Sequence, residues 1–536
     1  MTRSRLRSIA LLLALAAIAP RATSASEGRH EGRKFRFAVM SDTQWRSTDA
    51  VNNPNTVAVG IIDQLNREFI RQDVDFVIQV GDLTDNGSTA GLDTRAAAAQ
   101  PLLDAGIGFF PLRGNHEGSQ AAALEFLKVF PQTRGGAGAP KGARNFSSPL
   151  PTLEGLSYAF DYGNARFVLL DQFTRTDGTN YNGTSNDNAV DQVAWVGQTL
   201  AKRPHRGHAF VFAHKGLITE NHTDVLFGAN PAANPAAQNA FIGALARNDA
   251  RLLFGGHDHV HNRALVTSPD GASSVQDIIA ASNSYKFYVP QNPPNDVKYD
   301  VPPRETQIAQ ELFTVGYYLV TVDGPQVTVE YWASPNGCNG DCDLTVTPVL
   351  EFAKRETFGY GLDGEEWVVP QGASYADLAD AHGHTRLAIL GGTNLATGKD
   401  AAGRPFSQLV TTSWTGPQDQ TVTDVVTLRG LEKALGSGRT SPYVLSLTIP
   451  KGAVSQAELE SGRFGLAAPD VSGHWVNAVD VNHDGKKAFV VGPWNASYAL
   501  GTFGVDPATH TAWAVMDHGG SFAAARFERQ PGHPAP

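Results

Sequence analysis

Cysteine is nearly absent from this chain: Cys338 and Cys342 are the only 2 in 536 residues. Neither a disulfide scaffold nor a thiolate zinc site can be built from them. Long apolar runs are missing too, because a spanning helix needs ~20 residues and the N-terminal run Ile9 to Ala19 has 11. Basic residues are scarce: 43 Lys and Arg stand against 53 Asp and Glu, for a net charge of −10. They form no cluster, which excludes general binding to nucleic-acid duplexes or anionic membranes. No internal repeat is found. What is present, 41% hydrophobic and 18% charged residues, is the composition of a folded globular protein, and Gly 54 with Pro 31 marks it as loop-rich. At ~150 residues per domain the length suggests two to four domains.

Arg3, Arg5 and Arg7 precede the apolar run, Pro20 breaks it, and Ala22-Thr23-Ser24-Ala25 follows. This order predicts a secretory signal peptide over residues 1–25, cleaved after Ala25, and an exported, periplasmic or secreted protein without a membrane anchor. No cysteine follows the run to accept a lipid, and the arginines are not adjacent as a twin-Arg signal requires. In an oxidising compartment Cys338 and Cys342 are expected to close a short disulfide loop.

Residues 26–350 alternate short apolar runs with amphipathic stretches. Phe35 to Met40, Phe76 to Val80, Ile107 to Leu112, Phe167 to Leu170, Ala209 to Ala213 and Arg251 to Phe254 read as buried strands. Ile61, Leu65 and Phe69 recur every fourth residue, which predicts a helix over Val57 to Gln72; Leu92 to Ala105, interrupted by Pro101, and Gln120 to Phe130 look similar. Such alternation implies a layered α/β domain with ligands at strand C-terminal ends. Asp323-Gly324 marks a hairpin within Tyr317 to Trp332, and Thr174 to Asp191 and Pro290 to Arg304 read as polar loops. Residues 351–536 change texture to short β-like runs separated by Gly, Asp and Pro, an all-β accessory domain. There Asp480, Asn482 and Asp484 imitate the start of a calcium loop, but Val491 stands where a bidentate Glu is needed, so an ordinary turn is expected.

The residues that carry chemistry fall just after the expected strands. They are Asp42-Thr43-Gln44, Gly81-Asp82-Leu83-Thr84-Asp85, Gly114-Asn115-His116-Glu117, Asp171, Ala213-His214 and Gly256-His257-Asp258-His259. Carboxylates and imidazoles are costly to bury alone, and a cation is their natural partner. The number of candidate donors suits two metals sharing Asp82, and paired metals suit hydrolysis of phosphate esters.

In these ordered motifs the chain resembles the calcineurin-like metallophosphoesterase superfamily, and within it the branch similar to purple acid phosphatases, over roughly Lys34 to Trp332. The resemblance implies a double-sheet α/β (α+β) sandwich flanked by helices and two divalent ions of Mn, Zn or Fe. It places Asp42, Asp82 and His259 on one ion, and Asp82, Asn115, His214 and His257 on the other. It makes His116 the proton donor to the leaving group, oriented by Asp85, while a metal-bridging hydroxide attacks phosphorus and Asn115 and His214 stabilise its charge. The substrate implied is a phosphate mono- or diester or a nucleotide. Two departures stand out. Gln44 occupies the place of a first-motif histidine, leaving that ion a neutral oxygen donor or none, and Asp85 occupies the place of the tyrosine that colours ferric purple enzymes. Trp45, Lys215, Tyr285 and Lys286 are candidates for the cleft wall. The rival reading, resting on Gln44, is a protein with a weakened metal site that attaches to glycan or cell wall through its C-terminal domain.

Overall fold

The computed structural model describes residues 34–527 apart from 47–48, 183–185, 292–303, 339, 341, 363, 371, 375–378, 383–384, 394–398, 402, 405, 416–419, 430–431, 434–436 and 471–473. The expected signal peptide 1–25 and most of the loop Pro290 to Arg304 lie outside the described residues. Among the described residues no helix is long and apolar enough to cross a membrane.

Two sheets form the first part of the chain. The first is built from β1 (Phe35–Met40), β2 (Phe76–Val80) and β3 (Gly108–Leu112), and the second takes β4 (Arg144–Ser147), β5 (Tyr158–Tyr162), β6 (Ala165–Leu170), β7 (His208–Ala213), β8 (Leu252–Gly255), β9 (His261–Thr267), β10 (Ser274–Ala280) and β11 (Glu305–Glu311). The chain then returns to the first sheet with β12 (Thr314–Asp323), β13 (Gln326–Pro335) and β14 (Ala353–Gly361). The orders are β14-β13-β12-β1-β2-β3 and β11-β9-β10-β8-β7-β6-β5-β4. The central pairs β1–β2, β2–β3, β6–β7, β7–β8 and β8–β10 are parallel, so their C-terminal ends line up along one edge of each sheet.

The central strands β1, β2, β3, β6, β7 and β8 are mostly apolar because both faces are covered. In β1, Phe35, Phe37 and Val39 enter the core between the sheets, while Ala38 and Met40 face the helices α1 (Val59–Arg71), α2 (Thr89–Ala98) and α4 (Gln120–Val129). Between α2 and α4, Pro101 sits in the first turn of a separate short helix, α3 (Gln100–Asp104), where its missing N–H costs nothing. In β7, Phe210 and Phe212 join the inter-sheet core, and Ala209, Val211 and Ala213 pack under α5 (Val193–Leu200) and α6 (Pro235–Arg247). The order of layers is helix, sheet, sheet, helix. Between the sheets Phe37, Phe76, Phe160, Phe167 and Phe210 make ring contacts with centroids 5.0 to 5.9 Å apart, and each such ring stabilises the fold by ~1.5–3 kcal/mol through burial. Sequence patterning missed α6. It is not among the helices expected above, yet Pro235 fits the first turn of a helix and Phe241, Ile242 and Leu245 are buried by the tertiary packing.

The first sheet runs past the expected boundary at residue 350. β14 pairs with β13 in antiparallel register, buries Phe358 and Tyr360 between the sheets, and brings Glu356 to the fully buried Arg263. Beyond it, two six-stranded sheets share a separate apolar core that includes Leu387, Leu445, Leu466 and Met516. The calcium-like segment there has its carboxylates on cations: Asp480 pairs with Lys487 at 2.7 Å and Asp484 with Arg439. Cys338 and Cys342 are disulfide-bonded.

A chain ending at residue 350 is therefore expected to melt much lower than one ending at 362, since loss of each buried aromatic costs ~3–5 kcal/mol and a buried Arg263 left unpaired adds to it. Thermal melts of the two truncations check this. Equal melting temperatures would show that β14 contributes nothing.

Candidate metal centre

Every candidate ligand sits on a loop that leaves the C-terminal end of a parallel strand: Asp42 after β1, Asp82 after β2, Asn115 after β3, His214 after β7, and His257 and His259 after β8. The loops turn sharply. Asp42, Asp82, His257 and His259 have φ of 43, 48, 75 and 49°, left-handed conformations that cost non-glycine residues on the order of 1–3 kcal/mol each. Close approach of the loops demands glycine at two places. Gly81 has φ 93° and packs against the His214 ring, and a Cβ on Gly114 would strike the Asp82 carboxylate.

Among the described residues three donor groups result: Asp82 belongs to two of them, and the third joins His222, His257 and Asp258. Asp42, Asp82 and His259 bring ligand atoms within 4.8 Å of one another, as do Asp82, His214 and His257. All five residues are buried. The imidazoles are aimed by their outer nitrogens: His214 Nδ1 lies 2.9 Å from the Val80 carbonyl and His259 Nδ1 lies 3.0 Å from that of Lys286. Each Nδ1 therefore carries the hydrogen, and each Nε2 turns its lone pair inward. His214 Nε2 then faces Asn115 Oδ1 at 2.9 Å and Asp82 Oδ1 at 3.3 Å, and His259 Nε2 faces Asp42 Oδ1 at 3.3 Å. Electron-rich atoms converge without a hydrogen to share, the arrangement that a proton or a cation satisfies. Burial opposes charge on both partners, but Asp82 raises His214 to about 9, and His214 with His116 holds Asp82 well below the usual carboxylate range. Burial, helped by the nearby His222, pushes His257 down to about 3 and keeps it neutral, the ligating form. Gln44 lies at the same place: its Nε2 donates to Asp82 Oδ2 at 2.5 Å, and its Oε1 is buried without a hydrogen-bond partner. That orphaned oxygen and the donor set of carboxylate, imidazole and amide oxygens fit divalent ions of the Mn, Zn or Fe type.

His116 stands at the rim, 23% exposed, with Nε2 3.7 Å from Asp82 Oδ2. Its Nδ1 contacts the backbone carbonyl of Asp85 at 2.6 Å, whereas the Asp85 carboxylate lies 4.0 Å away. The orienting contact expected from the Asp85 side chain is thus made by its main chain, because the tight turn after Asp82 points the peptide oxygen at the ring. Three expected wall residues are inside: Trp45 is fully buried, Tyr285 is buried, and Lys215 is spent between Asp187 and Asp224 at 2.8 and 2.6 Å. Lys286 is half-buried with Nζ 5.9 Å from the Tyr285 ring and 5.8 Å from the Tyr288 ring. Asp171 points away from the ligands to Arg113, at 2.6 Å.

Several supporting residues had no role in the sequence reading. Glu117 accepts N–H bonds from Leu83, Thr84 and Gly114 at 3.2, 3.0 and 3.0 Å, tying the second ligand loop to the third. Asp224 reaches His257 Nε2 at 3.3 Å, and the His222 ring stacks on that of His257 with centroids 4.0 Å apart. Asp258 is fully buried; its carboxylate accepts the backbone N–H groups of Glu220, Asn221 and His222 and lies 2.7 Å from His222 Nδ1. Glu117 stood inside a visible motif, but nothing local marks residues 220–224, whose value comes from folding against the His257 loop.

Asp277 on β10 accepts the N–H groups of Leu217 and Ile218 at 2.8 and 3.1 Å, fixing the loop that follows His214. Burial pushes its carboxyl up to about 7. An unfolded Asp titrates near ~3.9, so the fold holds a proton that the unfolded chain releases, and stability is lost as pH rises from ~4 through ~7. Asp277→Asn removes that titration. Relative to the parent it is expected to gain stability between pH 5 and pH 8, by on the order of 1–4 kcal/mol. Urea denaturation of both proteins at the two pH values measures it, and a difference that does not change with pH would overturn it.

Comparison with known proteins follows the same lines. A search of curated proteins finds no match. The sequence model of calcineurin-like phosphoesterases matches residues 35–261. Similar solved structures include PhoD, 14% identical with a TM-score of 0.40 over 61% of this chain and 70% of that one. Purple acid phosphatase PPD1 from yellow lupin (Lupinus luteus) seeds is 13% identical with a TM-score of 0.38, over 59% of this chain and 53% of that one. A dimetal phosphatase from Danio rerio is 14% identical with a TM-score of 0.35, over 60% and 98%. Likenesses this distant carry no argument about chemistry. The family match, by contrast, starts at β1 and ends at the head of β9, taking in every strand end that supplies a candidate ligand; this part of the chain matches the calcineurin-like phosphoesterase family, and the protein is a phosphate-ester hydrolase.

Proposed function

We propose that the protein is an exported dinuclear phosphoesterase acting on phosphate mono- or diesters or nucleotides, on the purple-acid-phosphatase-like side of its family. The observation that carries the dinuclear reading is the sharing of Asp82 between two buried donor groups. Asp42, Asp82 and His259, with the Gln44 amide oxygen, would hold one ion, and Asp82, Asn115, His214 and His257 the other. Such ions polarise phosphoryl oxygens and supply a nucleophile near neutral pH. The chain's own part is to orient and to move a proton. Asn115, anchored beside His214, is placed to bind a phosphoryl oxygen. His116, with Nδ1–H on the Asp85 carbonyl, presents Nε2 to the leaving-group oxygen and protonates it as the P–O bond breaks. Lys286 is the half-buried cation on the same side as His259 and suits a second anionic group of the substrate. Export rests on the layout of residues 1–25.

The test is a panel of phosphate mono- and diesters with the mature protein in Mn²⁺, Zn²⁺, Ca²⁺ or EDTA. Turnover that EDTA abolishes and a divalent ion restores is the expected result; no turnover under any condition would favour the rival, a binding protein in which Gln44 has weakened the centre.

A further inference from the structure

The segment that steadies His257 is itself gripped from the accessory domain. Arg404 sits in a loop of that domain and places Nη2 2.8 Å from Glu220 Oε2 and Nη1 2.7 Å from Glu305 Oε2, with Nε on Asp400. The three carboxylates have side-chain exposures of 1, 2 and 0%. Removing the guanidinium takes a charged hydrogen-bond partner away from three buried carboxylates, a costly change for the segment that carries Glu220. Glu220 has little freedom to absorb such a change, because its own N–H and those of Asn221 and His222 all go to Asp258, the residue between the two ligand histidines His257 and His259. Four residues on, Asp224 holds His257 Nε2.

We infer that Arg404 is a positioning residue through which the accessory domain sets the hold of the second donor group, Asp82, His214 and His257, on its ion. The path runs from the Arg404 fork to Glu220, along the backbone clasped by Asp258, to the contacts of His222 and Asp224 with the His257 ring. The first group is reached less directly, through the His257 N–H that Asp42 accepts, while its own His259 is oriented by the Lys286 carbonyl. The inference rests on the dinuclear reading and adds that the metal centre is completed by a residue outside the matched domain.

The experiment uses the full chain. Arg404→Ala and Arg404→Lys are titrated with Mn²⁺ by calorimetry, and amide hydrogen exchange is followed over residues 217–224 in metal-free protein. Arg404→Ala is expected to weaken the second Mn²⁺ by ~10–100-fold, the usual effect of losing a residue that supports a ligand, while the first changes little. Exchange over 217–224 should speed up, and Arg404→Lys, which keeps the charge without the fork, should recover part of both. If Arg404→Ala folds poorly, Arg404→Ala combined with Glu305→Gln and Asp400→Asn neutralises two of the three carboxylates, and its second site should still be weak. Unchanged affinities and exchange would overturn the inference, as would equal weakening of both ions with a lowered melting temperature. A parent chain that takes up no Mn²⁺ would instead overturn the dinuclear reading, and the exchange rates over 217–224 then decide the role of Arg404 by themselves.

Discussion

Asp82→Asn is expected to empty the metal centre and to lower turnover by ~10³-fold or more, equivalent to ~4 kcal/mol of barrier. The expectation follows from geometry: Asp82 Oδ1 lies 3.3 Å from His214 Nε2, its carboxylate also belongs to the group with Asp42 and His259, and Gln44 donates to its other oxygen. No other residue belongs to both of these groups. Asp258→Asn is the control, because the Asp258 carboxylate belongs to neither of these groups and accepts three backbone N–H groups. Its loss should loosen the ligand histidines indirectly and cost ~10–100-fold, well short of Asp82. Metal content by elemental analysis after dialysis, beside initial rates, separates the two variants. Equal losses would sink the assignment of Asp82. Gln44→His should improve metal retention, since it brings an imidazole to the place from which the Gln44 amide now reaches the Asp82 carboxylate; unchanged retention would place Gln44 outside the ligand set.

The second large effect concerns His116. General-acid assistance is typically worth ~10² to 10⁴ in rate, ~3 to 5 kcal/mol, and is needed only where the departing oxygen is a poor leaving group. His116→Ala is therefore expected to depress hydrolysis of an alkyl phosphate far more than that of p-nitrophenyl phosphate. The structure sharpens the companion variant. Because His116 Nδ1 contacts the main-chain carbonyl of Asp85 and not its carboxylate, Asp85→Asn should leave the ring in place and show only a small, salt-sensitive loss of charge stabilisation. Plots of log rate against leaving-group pKa for the three enzymes decide the matter: parallel lines for parent and His116→Ala would remove His116 as the acid.

How much of this was legible in the sequence differs from residue to residue. Period and composition placed β1, β2 and β7 within a residue of their observed ends, because a strand covered on both faces is mostly apolar, and that is a local property of the chain. The ligand residues were legible for a related reason: each follows such a strand directly, so locating the strand locates Asp42, Asp82, His214 and His257. By itself the sequence thus determined the layered core and which side chains stand at the strand ends. Tertiary structure alone decided the rest. Whether β14 joined the first sheet depended on a partner strand and on Arg263, distant in sequence, and whether Pro235 to Arg247 formed α6 depended on the sheet beneath it. That Lys215 is buried between two aspartates, that Asp85 acts through its carbonyl, and that Glu220, Asp224 and Arg404 support His257 are facts of long-range contact. Pattern along a chain records which residues must be buried or must turn; it does not record which buried charge will meet which, because that is set only when the two sheets and the accessory domain close on one another.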